Sequence, residues 1–105
     1  MENKRITNRE DISTKEYTLY TDCVFINLDI KDLVFYNIKF SKCSFINCKL
    51  NNTNFVNCIF YNCEFISNKY IENNWYNNYG ENLKFIGALP NFIKENTFLN
   101  LKVIQ

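Results

Sequence analysis

Residues 43–65 read CSFINCKLNNTNFVNCIFYNCEF, and a large apolar residue returns at every fifth position of this stretch. A period of five does not suit a helix, where every fifth side chain is rotated by about 140°, nor a flat strand, where an odd period alternates between the two faces. The large residues can all face one side only if the backbone turns by a fixed angle after each unit of five. Repetition at a fixed short period is typical of solenoids, so the stretch predicts a backbone that coils around its large side chains.

The repeat continues on both sides of this stretch and has two inward-facing slots. The core slot holds Tyr20, Phe25, Ile30, Phe35, Phe40, Phe45, Leu50, Phe55, Phe60, Phe65, Tyr70, Trp75 and, after a failure at Gly80, Phe85. The corner slot, two residues earlier, holds Thr18, Cys23, Leu28, Leu33, Ile38, Cys43, Cys48, Thr53, Cys58, Cys63, Asn68, Asn73, Asn78 and Leu83. Large core residues beside mostly smaller corner residues are what a narrow, closely packed interior selects.

A second, longer period indicates how many sides each coil has. In every fourth unit the core residue is followed by an isoleucine, and these residues are Ile26, Ile46, Ile66 and Ile86. Because the pattern returns after four units, each coil should have four sides. The isoleucines should then form an apolar stripe on one outer wall. A weaker stripe on the opposite wall should consist of Tyr36, Val56 and Tyr76.

These features resemble the pentapeptide-repeat protein family, in which a small residue, an Asp or Asn and then a Leu or Phe head each unit of five. The resemblance covers roughly residues 18–86 and implies an all-β fold, a right-handed, four-sided parallel β-helix of about three to four coils. One departure is that the slot between corner and core, where the family usually has Asp or Asn, mostly holds other residues. Asn is concentrated instead just before the corner, where its side chain suits turns and unusual backbone dihedrals.

The chain divides into three parts on this basis. Residues 1–17 are predicted to form a polar N-terminal arm or cap, residues 18–86 the β-helix, and residues 87–105 a C-terminal cap. Open ends are a large fraction of so short a solenoid and need covering.

Two structures fit the C-terminal cap. Pro90 suits the first turn of a short helix over residues 90–99. The side chains that such a helix would place over the last coil are Leu89, Phe92, Ile93 and Leu99. The alternative is a final strand, with inward-facing Phe98, Leu101 and Val103.

Two irregular features near this end need partners. The polar corners Asn68, Asn73 and Asn78 are expected to be satisfied by the cap or by water. Tyr79 or Tyr76 is expected to fill the gap that Gly80 leaves in the core slot.

The residues that usually carry chemistry are scarce. The chain has no His, and its five cysteines are separated by 20, 5, 10 and 5 positions, a spacing that fits no usual zinc site. All five fall in the corner slot, so buried packing thiols are the better interpretation. Glycine stands only at positions 80 and 87, which excludes a phosphate-binding glycine-rich loop. The sequence therefore predicts neither an enzyme nor a cofactor or metal site.

Charge and hydropathy exclude further classes. The 105 residues suffice for one domain, and 12 Lys and Arg against 11 Asp and Glu give a net charge of +1, which favours no nucleic-acid partner. No apolar run approaches the length of a membrane span, and residues 1–13 lack the apolar centre of a signal peptide. We expect a cytoplasmic protein without a membrane partner.

The leading hypothesis for function is a scaffold whose rigid walls contact an unknown protein partner or, weakly, a second copy of the chain. The isoleucine stripe is the main candidate, since continuous exposed apolar patches usually mark a contact. The alternative for the stripe is that residues 1–17 or the C-terminal tail cover it. The alternative for function comes from the resemblance, because some members of the family mimic duplex DNA and protect DNA gyrase or topoisomerase from inhibitors. The neutral charge and the short tower disfavour that role.

Overall fold

The structure is a computed structural model that describes the backbone of residues 1–105 and the side chains of all of them except residues 92–94. It is a four-sided parallel β-helix, and the four sheets are named walls A to D here. Wall A comprises Leu19–Thr21, Lys39–Ser41, Ile59–Tyr61, Tyr79–Glu81 and Thr97–Leu99, and wall B comprises Arg5–Ile6, Val24–Ile26, Ser44–Ile46, Glu64–Ile66, Lys84–Ile86 and Lys102–Ile104. Wall C comprises Asp29–Lys31, Lys49–Asn51 and Lys69–Ile71, and wall D comprises Val34–Tyr36, Asn54–Val56, Asn74–Tyr76 and Phe92–Lys94.

The four-unit period sets the register of the walls. In wall B, Phe45 pairs with Phe25 on one side and with Phe65 on the other. The ring of Phe45 stacks on these two rings with centroid distances of 4.3 and 5.0 Å and interplanar angles of 3° in both cases. Each core side chain from Phe25 to Phe65 is buried, so the repeat builds one continuous interior that is aromatic along walls A, B and D and aliphatic along wall C, at Ile30 and Leu50.

The tower has about five turns rather than the three to four predicted. The extra turns come from the two terminal segments, because Arg5–Ile6 pairs with Val24–Phe25 and Lys102–Ile104 pairs with Lys84–Ile86. Within the repeat, paired residues are four units, or 20 positions, apart in the sequence. At the start of the chain this separation is one residue shorter, and at its end it is two residues shorter. A search for a strict period therefore misses both segments.

The N-terminal end of the tower is closed by the first residues of the chain. Ile6 is buried above Phe25, and a short 3-10 helix, Arg9–Asp11, follows it across the end. The Arg9 guanidinium donates to the Lys31 carbonyl at 2.8 Å, and the Tyr20 hydroxyl donates to the Ser13 carbonyl at 2.7 Å. The described part of the chain contains no helix that is long and apolar enough to cross a membrane.

The C-terminal stretch continues the β-helix, so the helix predicted over residues 90–99 is wrong, and the strand alternative is right about the secondary structure but wrong about the burial of Leu101 and Val103. Pro90 follows the wall B strand Lys84–Ile86 and precedes the wall D strand Phe92–Lys94, at the point of the coil where a wall C strand would stand. Proline has no N–H to donate to a ladder, so wall C is not continued there. Phe98 packs against the core, whereas Leu101 and Val103 are exposed, Val103 to 42%, in the last turn. Leu89 and Leu99 are exposed, and the predictions for the Phe92 and Ile93 side chains lie outside the described side chains.

Gly80 stands where the core slot should hold a large residue. A Cβ atom at this position would lie 2.8 Å from Leu83 Cδ1 and 2.9 Å from Phe98 Cδ1, so these two side chains occupy the gap. The prediction that Tyr79 or Tyr76 fills it is wrong. The Tyr79 hydroxyl instead donates to the Glu81 carboxylate at 2.6 Å, and the Tyr76 side chain is exposed.

The slot just before each corner has a left-handed backbone. From Tyr17 to Asn82 every fifth residue has a φ between 49° and 67°, and Gly87 continues the series at 93°. Asn is the common residue because it tolerates this conformation better than other non-glycine residues. Its side chains also form ladders, as when Asn82 Nδ2 donates to Asn62 Oδ1 at 3.1 Å.

Lys42 is a poor residue for this slot, which leads to a first prediction. Its φ is 55°, and it precedes Asn62 and Asn82 in the same column of turns. We expect Lys42→Asn to raise the free energy of unfolding by about 0.5–1 kcal/mol, because it relieves the backbone and adds a rung to the ladder. Urea unfolding followed by circular dichroism measures the change. Lys42→Ala is the control and should give no gain; an equal gain in both variants would contradict the explanation.

Candidate contact surface

Hydrogen bonds from the corner slot link successive coils, in addition to the backbone hydrogen bonds of the walls. Eight consecutive corner residues donate to the carbonyl of the core residue 23 positions earlier: Cys43, Cys48, Thr53, Cys58, Cys63, Asn68, Asn73 and Asn78. These bonds tie each coil to the one before it, which gives the outer walls a fixed geometry. The packing interpretation of the cysteines missed this role. Its signal was present, since between residues 43 and 78 the slot contains only Cys, Thr and Asn, all of which can donate.

The asparagine corners add an acceptor that Cys and Thr do not provide in this geometry. Asn68 Oδ1 accepts from the Cys48 N–H, and Asn78 Oδ1 accepts from the Cys58 N–H, both at 2.8 Å. Asn96 joins the same network, since its Nδ2 donates to the Trp75 carbonyl at 2.6 Å. Asn73 differs, because its Oδ1 has no hydrogen-bond partner among the described residues. The expectation that the cap or water satisfies these corners therefore holds in part for Asn78, which bonds to Asn96, and is wrong for Asn68, whose partners lie in the repeat itself; one atom of Asn73 has no partner among the described residues.

The corner thiols are buried, and for three of them, Cys48, Cys58 and Cys63, the surroundings oppose ionisation, whereas the hydrogen bond with Cys63 lowers the pKa of Cys43. Burial raises the pKa of the Cys58 thiol to about 12 and also raises the pKa of Cys48. The contact with Cys43, together with burial, raises the pKa of Cys63. All five cysteines are free and buried, and within the described side chains no group of Cys, Asp and Glu could hold a metal ion.

These shifts predict a loss of stability at high pH. Well below pH 9 the Cys58 thiol is protonated in both states, whereas near and above pH 9 the unfolded chain releases a proton that the folded chain keeps up to about pH 12. We therefore expect the free energy of unfolding to be constant between about pH 7 and 8.5 and to fall above about pH 9, by at most about 1.4 kcal/mol per pH unit for each such thiol. Urea unfolding across this range measures it. Cys58→Thr should reduce the slope, and an unchanged slope would contradict the assignment.

The outer face of wall B carries the predicted isoleucine stripe, and the structure extends it. Ile26, Ile46, Ile66 and Ile86 stand in one register, each half-buried, and Ile104 joins as a fifth member, 49% exposed. The four-unit period does not predict Ile104, because this residue follows Ile86 two positions short of four full units. Both terminal strands, Arg5–Ile6 and Lys102–Ile104, pair edge to edge within this sheet. They lengthen the wall and do not cover its outer face.

Wall D, on the opposite side, carries the second predicted stripe. Tyr36, Val56 and Tyr76 are in register there, with both tyrosines exposed and Val56 half-buried. The structure thus brings each of the two predicted stripes together on its own wall, on opposite sides of the tower. Neither stripe includes the exposed residues at the neighbouring corner, where Tyr17 and Leu19 stand at the N-terminal end of wall A, and the periods of the sequence do not predict them.

Comparison with known families agrees with the repeat geometry. The sequence profile described as "Pentapeptide repeat region" matches residues 19–88, about two thirds of the chain. The match begins at the first strand of wall A and ends just after Lys84–Ile86 of wall B. A search of curated proteins finds no match.

Proposed function

This chain belongs to the pentapeptide-repeat family, and from that premise we propose that it is a non-enzymatic scaffold that presents wall B to a protein partner in the cytoplasm. The observation that supports this proposal is the isoleucine stripe, five apolar side chains in one register on a face that neither terminal strand covers. An apolar row on a rigid sheet is organised before binding, so little conformational entropy is lost on contact. Five buried free cysteines suit a reducing compartment.

The stripe by itself favours a weak contact. Burying the exposed part of five isoleucines contributes on the order of 3–6 kcal/mol, which is at the low end of the roughly 4–15 kcal/mol that association costs. A lasting complex therefore needs further contacts from the same wall. The column beside the stripe includes Glu64, Lys84 and Lys102 in register, which provides charged groups for the rim of an interface.

The charge pattern supports a protein partner more than imitation of a nucleic acid. Asp29, Lys49 and Lys69 stand in one column on wall C, so charges of both signs mix within a single wall. A mimic of duplex DNA needs dense negative charge. We propose no nucleic-acid or membrane partner; protection of gyrase from a quinolone in a supercoiling assay would contradict this part of the proposal.

Photo-crosslinking in cells that express the protein naturally tests the scaffold. A photoreactive residue replaces Ile46 in one variant and Asn51 in another, the same slot of the same coil one wall further on. A discrete adduct from position 46, weakened by Ile66→Asp and absent from position 51, supports wall B as the contact. Equal labelling from both positions, or none from position 46, contradicts it. Light scattering after size exclusion, over a wide concentration range, then distinguishes a second copy of the chain from another protein as the partner.

A further inference from the structure

A groove at the corner between walls D and A has features that the scaffold proposal for wall B does not use. It has a volume of about 330 Å³, and it is called the Tyr17 groove here. Its lining includes Tyr17, Leu19, Asn37, Lys39, Asn57 and Ile59.

Tyr17 stands at the top of this groove in a conformation that its side chain does not favour. Its φ is 67°, the largest among the non-glycine turn residues, and its side chain is 80% exposed. The Tyr17 N–H donates to the Asn37 carbonyl at 2.9 Å, one residue further on than in the later turns, where for example the Asn37 N–H donates to the Val56 carbonyl; Tyr17 thus begins the column of turns with an irregular bond. The next members of that column, Asn37 and Asn57, are the residue type that suits it. A bulky, exposed tyrosine therefore stands where asparagine would suit the backbone better, and strained exposed positions are enriched at binding sites.

One side of the groove is lined by a row of three side chains on wall A, in which a basic residue stands between two apolar ones. Leu19, Lys39 and Ile59 pair in register, and Leu19 and Ile59 are exposed to 46% and 36%. The Lys39 ammonium lies 5.2 Å from the centroid of the Tyr61 ring, which holds its charge close to the wall. The row therefore offers two apolar contacts, Leu19 and Ile59, with a cation beside them on the same wall, held over the Tyr61 ring.

The spacing of this row selects the secondary structure of a partner. Successive rungs of a sheet are about 4.8 Å apart, so the three side chains span about 9.6 Å. An α-helix running along the tower places residues i, i+3 and i+7 at about 0, 4.5 and 10.5 Å, close to the rungs. An extended strand repeats on one face at a spacing of about 6.8 Å, so it loses register by the second rung.

We propose that the Tyr17 groove binds an amphipathic helix of a partner protein, in which a carboxylate stands between two apolar residues at i, i+3 and i+7. The carboxylate meets Lys39, the apolar residues meet Leu19 and Ile59, and the Tyr17 ring covers one end of the helix. This contact lies on different walls from the isoleucine stripe, so it does not depend on the function proposed for wall B.

A labelled synthetic peptide tests the groove on the full chain by fluorescence anisotropy. The probe is an alanine-rich helix with Leu at i, Glu at i+3 and Leu at i+7, and the matched peptide has Gln in place of Glu. We expect the Gln peptide to bind about tenfold more weakly, and we expect Lys39→Gln to weaken the Glu peptide about as much. Equal binding of the two peptides, or no binding of either, overturns the proposal.

Tyr17→Asn separates binding from stability. It should weaken the Glu peptide about tenfold while leaving the urea midpoint unchanged or raising it, because asparagine suits the left-handed backbone. Ile46→Asp, on the far stripe, should leave peptide binding unchanged. Full binding by Tyr17→Asn, or loss of binding in Ile46→Asp with its fold intact, shows that the peptide uses another surface and overturns the proposal.

Discussion

Phe60→Ala is expected to lower the free energy of unfolding by about 4–5 kcal/mol, the upper part of the range for truncating a buried phenylalanine. The Phe60 ring is fully buried and stacks on Phe40 at 5.1 Å and on Trp75 at 5.5 Å. Within wall A, Phe60 pairs with Phe40 in the preceding coil and with Gly80, which has no side chain, in the following coil. The truncation therefore joins a new void to a position that only Leu83 and Phe98 fill, and it removes a surface that supports the Trp75 ring.

Two matched variants make this prediction specific. Phe60→Leu keeps most of the volume and should cost about 1–2 kcal/mol, while Val34→Ala, at an exposed position of wall D, should change stability by less than about 0.5 kcal/mol. Urea unfolding followed by far-ultraviolet circular dichroism is the measurement. A loss for Phe60→Ala below about 2 kcal/mol, less than truncating a well-packed buried phenylalanine costs, would mean that the column closes over the gap and that the interior is not packed as described.

The regular part of the fold could be predicted because one property repeats with a single failure over many units. The period of five decides which side chains face inwards, and the return of the pattern after four units decides the number of walls. Both periods remain recognisable when one apolar residue replaces another, because packing depends on the size and burial of a side chain rather than on which residue it belongs to. The four-sided parallel β-helix is confirmed for these reasons.

The ends of the tower could not be predicted by the same reasoning. Ile6 pairs with Phe25 one position short of four full units, and Val103 pairs with Phe85 two positions short. A change of one or two residues in a turn is small for the backbone, but it moves every later residue to a different phase of the repeat. Pro90 was also ambiguous, because the property that lets it begin a helix equally lets it interrupt wall C.

The candidate surfaces were predictable only where they share the four-unit period. The four-unit period predicts the isoleucine stripe as far as Ile86. Tyr17 does not, because its importance depends on a positive φ and on exposure, which a sequence does not display. The filling of the gap at Gly80 is likewise a matter of shape in three dimensions, since Leu83 belongs to the corner slot and Phe98 is out of phase with the repeat.

Asn78→Thr is expected to lower the free energy of unfolding by about 2–4 kcal/mol, although threonine is a natural corner residue in this chain. Thr53 shows what threonine retains, since its hydroxyl donates to the Ile30 carbonyl at 3.3 Å. It has no counterpart to the Asn78 Oδ1, which accepts from the buried Cys58 N–H, and it cannot reproduce the contact with Asn96. A buried donor left without an acceptor costs about 1–3 kcal/mol, and the lost bond to Asn96 adds to it.

Asn73→Thr is the matched control, and it decides whether the acceptor is the cause. Asn73 donates to the Leu50 carbonyl at 2.7 Å, but its Oδ1 accepts from no described residue, so threonine keeps the useful bond and removes an unsatisfied atom. We expect stability between unchanged and about 1 kcal/mol higher. Hydrogen exchange gives a second readout, because the Cys58 amide should exchange faster in Asn78→Thr than in the native chain, beyond what the global loss explains. Equal losses in the two variants would mean that the corners act through the volume of the side chain, and the hydrogen-bonded ladder would then not be what fixes the walls.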